Sequence, residues 1–413
     1  MLRIALGYLL TAFALSAQPV YDVLLKGGHV IDAKNRISRV MDVAIAGGKI
    51  ASVARDIPAA QAGKVVDASG LYVVPGLIDI HVHLYNRTGN PLPKRNQSVQ
   101  ADAFSFRTGV TTMVDPGTSG WRDFPDFRRM VVERSQTRVL SMLNIVAAGM
   151  GFGNEDDPAQ MDAEAAARMA KSHPDVIVGF KTAHYGGPGW TAIDNLVKAG
   201  NLAELPVMVD FGNASPDRDI RTLLLDKLRP GDIYTHCYSG IRQELIGGKV
   251  NPVMIEARKR GIFFDVGHGG GSFFWNIAVP AVQQKFLPDS ISTDMHFGSM
   301  NAGMKDILNV ASKILNLGAT IDEVVAMMTW NPARQIKRPE LGSLDAGAEA
   351  DIAVLRVGRG QFGFLDSAGA SYQGTQMIVS EMTLRKGRIV WDLNARSGED
   401  WKTFKYRTRR SPR

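Results

Sequence analysis

Eight short apolar runs alternate with helical patterns between residues 77 and 331, and this repeat limits the fold more than any other feature. Alternation of strands and helices is the mark of βαβ units, because parallel strands need a crossover helix. The runs are 78–83, 112–116, 140–146, 176–182, 206–212, 232–237, 262–267 and 290–296. Eight units over about 250 residues predict an α/β fold, a (β/α)8 barrel, with its chemistry at the carboxyl ends of the strands.

Short strand patterns flank the barrel pattern on both sides. Gly47-Gly48-Lys49-Ile50 precedes it and Lys386-Gly387 follows it, and both have the composition of hairpin turns. We therefore expect a small β-domain in two parts, 20–74 and 341–396, around a barrel of 75–340.

The N-terminus has the pattern of a secretory signal peptide. Arg3 precedes an uncharged apolar stretch, 4–15, and small residues offer cleavage sites after Ala14 or Ala17. The alternative is a buried N-terminal helix, and the stretch is too short for a membrane span. Residues 1–17 are therefore predicted to be a signal peptide. An exported protein, periplasmic or secreted, would then have no transmembrane span after processing.

Most of the net charge of +7 comes from a basic tail at 397–413. Its last thirteen residues carry six basic side chains and no acidic one, so the rest of the chain is nearly neutral. A solvated terminus is the expected structure, and nucleic acid is not an expected partner. The single cysteine, Cys237, has no partner for an intramolecular disulfide, and a buried thiol is expected.

Polar side chains with metal-binding potential lie at the carboxyl ends of the predicted barrel strands. His81 and His83 are two residues apart, so both point to one side of the first strand. Two imidazoles on one face can hold a transition metal. The later strands end in or near Lys181, Asp210, His236, His268, Asp294 and His296. Five of the eight histidines thus lie at strand ends, which scattered core histidines would not be expected to do.

Lys181 at the end of an apolar strand needs an explanation, because burying an unpaired ammonium group is costly. One explanation is an ion pair with Asp210 or Asp294. The other is carbamylation by carbon dioxide, which would turn the side chain into an anionic ligand that bridges two metals. The sequence leaves both open.

These motifs together resemble the amidohydrolase superfamily of metal-dependent hydrolases, and within it the deacetylase and dihydroorotase-like branch. The resemblance covers about residues 21 to 395. The matching motifs are Pro75-Gly76-Leu77-Ile78-Asp79-Ile80-His81-Val82-His83, Gly179-Phe180-Lys181, Thr235-His236-Cys237, Asp265-Val266-Gly267-His268-Gly269-Gly270-Gly271-Ser272-Phe273, Ser292-Thr293-Asp294, Thr329-Trp330-Asn331-Pro332-Ala333 and Gly342-Ser343-Leu344-Asp345-Ala346-Gly347-Ala348-Glu349-Ala350-Asp351.

The resemblance implies a barrel flanked by a β-sandwich from both chain ends, and two divalent metal ions that are usually zinc. His81, His83 and Asp294 would hold one ion. Carbamylated Lys181 would bridge both ions, and His236 would bind the second.

Strand five departs from the pattern of this branch. Where its members have a histidine, this chain has Asp210, which can bind zinc and also suits manganese or iron. The identity of the second ion, and its presence, therefore stay open. His184, near the end of strand four, is a candidate substitute.

The implied activity is hydrolysis of an amide, a cyclic amide, or an acetyl ester or amide in a small-molecule substrate. A metal-bound hydroxide would attack the carbonyl, with Asp294 as general base. A deaminase, a lactonase and a non-catalytic metal-binding relative remain as alternatives. A homo-oligomer is expected by analogy alone.

Three further residues are candidates for roles beside the metals. His268 lies in a glycine-rich turn that lets backbone approach a ligand, so a catalytic, substrate-binding role is predicted. Tyr185 opens a loop, 185–190, that is expected to cover the substrate. For His296, a purely structural role and a contact with the metal ligands are equal alternatives.

Overall fold

The computed structural model describes residues 20–86, 98–150, 154–210 and 218–406. They form two large sheets, of eight and seven strands, and one two-stranded hairpin. The predicted signal peptide and the last seven residues of the basic tail lie outside the described residues.

The strands are β1 (Tyr21–Asp32), β2 (Ile37–Ala46), β3 (Lys49–Ala54), β4 (Ala62–Asp67), β5 (Tyr72–Pro75), β6 (Leu77–Asp79), β7 (Val110–Asp115), β8 (Arg138–Asn144), β9 (Ile177–Thr182), β10 (Val207–Val209), β11 (Ile233–Tyr234), β12 (Leu245–Ile246), β13 (Lys249–Val250), β14 (Phe263–Phe264), β15 (Ile352–Leu365), β16 (Ser371–Arg385) and β17 (Arg388–Asp392). The α-helices are α1 (Ala101–Phe104), α2 (Phe124–Met130), α3 (Ala163–Ser172), α4 (Thr191–Ala203), α5 (Pro252–Lys259), α6 (Trp275–Gln283), α7 (Ile307–Asn316), α8 (Ile321–Met328) and α9 (Trp330–Gln335).

The seven-stranded sheet is parallel and follows chain order from β6 to β11 and then β14. The segment 290–296 connects its two edges through parallel bridges, Val82 with Met295 and Asp265 with Ser290. The sheet therefore curls into a barrel, as the sequence predicts. The eighth run is bridged rather than a regular strand, because Asp294 has a φ of 49° and interrupts the extended backbone.

The two chain ends join in the eight-stranded sheet, where β5 pairs with β15 in antiparallel register. Both predicted hairpin turns are confirmed: Gly47-Gly48 connects β2 to β3, and Lys386-Gly387 connects β16 to β17. All four turn residues have positive φ. That is the backbone of the two-residue turns that match strand twist. These strands form one hydrogen-bonded sheet, and the predicted packing of a sandwich stays a prediction.

Helix α7 is almost entirely buried. The Asp306 side chain accepts the backbone N–H of Asn309 and so caps its N-terminus. Eight of its ten residues are buried, including Lys313. Within the described ranges, no helix combines the length and the apolar character that crossing a membrane requires.

Candidate metal centre

Three side chains meet where the first strand and the closing segment come together. His83 Nε2 lies 3.0 Å from Asp294 Oδ1, and His81 Nε2 lies 3.4 Å from the same oxygen. One donor atom from each residue lies within 4.8 Å of the other two. Both histidines are buried and Asp294 is nearly so. Two imidazole nitrogens and a carboxylate oxygen at this spacing suit one divalent ion.

Hydroxyl groups behind the two histidines fix the direction of the rings. His83 Nδ1 lies 2.8 Å from Thr118 Oγ1. His81 Nδ1 lies 3.2 Å from Thr235 Oγ1, which donates its own proton to Asp265 Oδ2 at 2.8 Å. Thr235 must therefore accept from His81 Nδ1, and the lone pair of His81 is on Nε2, towards Asp294. Such a partner behind the ring is what a metal-binding histidine requires.

A pair of donors, His236 and Asp210, adjoins this cluster of three. His236 Nε2 lies 3.3 Å from Asp210 Oδ2, and the rings of His81 and His236 are 5.2 Å apart. His236 Nδ1 donates to the backbone oxygen of Gly267 at 2.6 Å. Because Nδ1 carries the proton of a neutral His236, the lone pair is on Nε2 and faces a carboxylate oxygen. A cation between the two atoms would bind both of them. Asp210 Oδ1 accepts from Arg242 Nη2 at 2.8 Å.

Lys181 adjoins the cluster of His81, His83 and Asp294. Its Nζ is 3.3 Å from His81 Nε2, and the side chain is completely buried. Burial lowers the pKa of this ammonium group, although Asp210 and Asp294 oppose the shift. Asp210 Oδ1 binds Arg242, and both explanations of Lys181, the ion pair with Asp210 or Asp294 and carbamylation, stay predictions.

The electrostatics of the site match the protonation states that metal ligands need. Burial raises the pKa of Asp294, but His81 and His83 outweigh it and hold that pKa well below its usual range. Burial raises the pKa of Asp210, but the neighbouring His236 and Arg242 outweigh burial and lower that pKa. Burial lowers the pKa of His81 to about 3. The carboxylates are therefore ionised at neutral pH and His81 is neutral.

Unusual backbone conformations place these donors. His236 has a φ of 63° and Asp294 a φ of 49°, values that few non-glycine residues adopt. A Cβ on Gly267 would lie 2.3 Å from Thr235 Oγ1, and one on Gly269 would lie 2.3 Å from Asp294 Oδ2. The glycine-rich turn after β14 is therefore required by close packing against the site.

His268 has protein partners at both ring nitrogens. Nδ1 donates to the backbone oxygen of Gly269 at 2.9 Å, and Nε2 lies 2.6 Å from Lys313 Nζ. The ring is fully buried and stacks on Phe273 at a centroid distance of 4.6 Å. Burial, with Lys313 adding to it, lowers the pKa of His268 to about 3. These contacts fix the turn, and the predicted catalytic and substrate-binding role stays a prediction.

Tyr185 is buried, and its hydroxyl donates to the backbone oxygen of Pro188 at 3.2 Å. Its backbone oxygen accepts from Arg218 Nη1 at 2.5 Å. Both contacts hold the loop 185–190 in shape. The predicted contact of Tyr185 with the substrate stays a prediction.

His184 and His296 lie at the edge of the site. His184 is largely exposed, with Nε2 3.8 Å from Asp210 Oδ2, and a hydrogen bond with Glu155 raises its pKa to about 8. A charged, exposed imidazole is a poorer donor than buried His236. The ring of His296 lies 6.0 Å from that of His83, which is compatible with the predicted contact with the metal ligands.

Four residues of the site were not expected from the sequence. Thr118 and Thr235 hold the histidines, Arg242 binds Asp210, and Lys313 binds His268. Of these four, only Arg242 could have been found from the sequence. It lies in the loop after strand six, and the neighbouring strand five ends in the carboxylate of Asp210.

Comparisons with known proteins identify the family. The profile of the amidohydrolase family matches residues 275–385. A deacetylase of Agrobacterium fabrum is 32% identical over 325 residues, which cover 76% of this chain and 78% of that protein. This chain belongs to the amidohydrolase family. The membership confirms the predicted class of enzyme, a hydrolase acting on carbon–nitrogen bonds.

Solved structures agree with this amidohydrolase assignment. An adenine deaminase superposes with a TM-score of 0.81 at 26% identity, covering 90% of this chain and 100% of that one. A dihydroorotase superposes with a TM-score of 0.76 at 27% identity, covering 90% and 99%. Amidohydrolases generally use a divalent metal ion, and the cluster of His81, His83 and Asp294 offers suitable donors.

Proposed function

We propose that this amidohydrolase is a metal-dependent hydrolase that cleaves an amide, a cyclic amide, or an acetyl ester or amide of a small molecule. The observation that carries the proposal is the convergence of His81, His83 and Asp294 at one end of the barrel. The likeness to a deacetylase and to a dihydroorotase supports the choice of bond.

The first ion would be held by His81, His83 and Asp294, and zinc is the proposed metal. His236 and Asp210 would hold a second ion, for which manganese or iron is the alternative to zinc. Lys181, carbamylated, would bridge the two, and the lowered pKa supports this because a neutral amine reacts with carbon dioxide. When bound, the ions lower the pKa of a water molecule and polarise the carbonyl oxygen.

The protein's own contribution is proton transfer and orientation. Asp294 is ionised and lies beside both histidines through Oδ1, so Oδ2 is the oxygen proposed to take the proton of the nucleophile. The same oxygen would pass it to the leaving group. Thr118 and Thr235 keep the two imidazoles aligned while the charge changes.

The test is a substrate panel run together with metal analysis. We expect purified protein to hydrolyse at least one of three classes: N-acetyl amino acids, acetylated hydroxy acids, or cyclic imides. Chelation should abolish the activity, and added zinc should restore it. Metal-loaded protein that turns over none of these compounds, or activity that resists chelation, would contradict the proposal.

A deaminase is the second candidate, because the adenine deaminase superposes over 100% of its length. Release of ammonia from adenine by the metal-loaded protein, without activity on the acetylated compounds, would favour it.

A further inference from the structure

We propose that Arg242 is a positioning residue for the second ion. By binding Oδ1 of Asp210 and cancelling its charge, Arg242 makes the pair act as one neutral ligand through Oδ2. The inference rests on the proposed function, since it concerns the second ion of that site.

The two oxygens of Asp210 have different neighbours. Oδ1 accepts from Arg242 Nη2 at 2.8 Å, whereas Oδ2 lies 3.3 Å from His236 Nε2. Bonds of about 2.0–2.2 Å from one ion to an imidazole nitrogen and a carboxylate oxygen give a separation of this size. Arg242 therefore favours binding of the ion through a single oxygen.

Arg242 is buried in a loop that hydrogen bonds to Glu244 hold in place. Its side chain is 3% exposed, and its backbone N–H donates to Glu244 Oε2 at 3.0 Å. The other oxygen of Glu244 accepts from Ser239 Oγ at 2.7 Å and from the Tyr234 hydroxyl at 3.3 Å. These hydrogen bonds fix the loop after β11, and burial confines the guanidinium, which lies 6.0 Å from the centre of the Tyr234 ring, beside Asp210.

The charges explain why the pair works as a unit. A buried carboxylate paired with a guanidinium has no net charge, as a neutral imidazole has none. Replacing Asp210 alone by histidine would leave the buried guanidinium of Arg242 facing a divalent ion, with Glu244 still beside it. Repulsion between the guanidinium and the neighbouring ion is unfavourable, so the ion should be expelled.

A double-mutant cycle with metal counting tests this coupling. Wild type, Asp210→His, Arg242→Gln and the double variant are dialysed against buffered zinc, and zinc per chain is measured by mass spectrometry. We expect two ions in wild type, one in Asp210→His, and two again in the double variant. Arg229→Gln is the matched control, because it breaks the Arg229–Asp232 pair elsewhere in the barrel and should leave the count at two.

Two ions in Asp210→His, or one in the double variant, would overturn the inference. If Asp210→His does not fold, as judged by circular dichroism, Arg242→Gln alone decides. Without Arg242, Oδ1 of Asp210 loses its guanidinium donor and more negative charge faces the ion, so the affinity ratio should shift at least about tenfold from zinc towards manganese. An unchanged ratio would refute the role of Arg242.

The same measurements separate this inference from the proposed function. Wild type that holds one ion at saturating zinc overturns the inference and leaves the first ion and hydrolysis intact. If wild type holds two ions and the variants show the expected zinc counts, but no panel compound is hydrolysed, only the proposed function is contradicted.

Discussion

Lys313 Nζ lies 2.6 Å from His268 Nε2, and both side chains are completely buried. The same amine donates to the backbone oxygens of Gly303 at 3.0 Å and Leu365 at 2.6 Å. Lys313 therefore connects the turn beside Asp294 to the end of β15 in the other sheet. Burial lowers the pKa of Lys313 to about 7.

Lys313→Met should remove a pH dependence from folding stability. The folded-state pKa of about 7 lies below the ordinary value of 10.5, so the unfolded chain binds more protons between these pH values. Wild type should gain free energy of unfolding relative to the variant as pH rises from 7 to 9, by up to about 1.4 kcal/mol per pH unit. Urea unfolding at both pH values measures this, with exposed Lys171→Met as control. A difference that does not change with pH would contradict it.

His81→Ala combined with His83→Ala should abolish hydrolysis and remove the first ion, because both imidazoles face the same carboxylate oxygen. Metal content and turnover are measured on the same preparation. His29→Ala is the control, since His29 lies in β1 and bonds Ser38. Normal metal content and rate in the double variant would show that the site is elsewhere.

Thr118→Val should lower metal affinity by about tenfold while the fold is kept, because His83 loses the partner of its Nδ1. Competition with a chromogenic chelator gives the affinity. Thr111→Val, at a buried position of the preceding strand β7, controls for loss of a buried hydroxyl. Equal affinities in both variants would argue against an orienting role for Thr118.

Lys181→Ala should lose activity, and short carboxylic acids should restore part of it by occupying the place of the carbamate. Lys181→Arg should stay inactive at every acid concentration, because guanidinium has no acceptor and cannot bridge ions. Rates are measured against acetate and propionate concentration. A fully active Lys181→Arg variant would refute the bridge.

We propose that the chain is exported, with the first 14 to 17 residues removed. Mass spectrometry of the mature protein should then find Leu15 or Gln18 as the N-terminal residue. Intact Met1 on protein from the cytoplasm would refute the proposal.

Local patterns in the sequence were sufficient for the barrel, the hairpins and the strand ends. The two-residue period of β6 and the residues after it puts His81 and His83 on one face, and hairpin turns need residues that tolerate positive φ at known places. Both depend on neighbours along the chain, so they can be derived before any tertiary contact is known. The pairing of the charged side chains at the site cannot be derived in this way.

Tertiary structure alone decided how the charged residues pair. Lys181 had two candidate carboxylates, yet Asp210 pairs with Arg242, 32 residues away, because the loop after β11 folds back over the neighbouring strand end. Lys313 reaches His268 over 45 residues because α7 packs against β16 and brings the amine beside the turn after β14. Asp294, which has a positive φ, lies beside His81 and His83 only in the closed barrel, since more than 200 residues separate it from them. Residue periodicity specifies which face a side chain occupies, whereas its partner depends on loops whose paths are set only when the barrel closes.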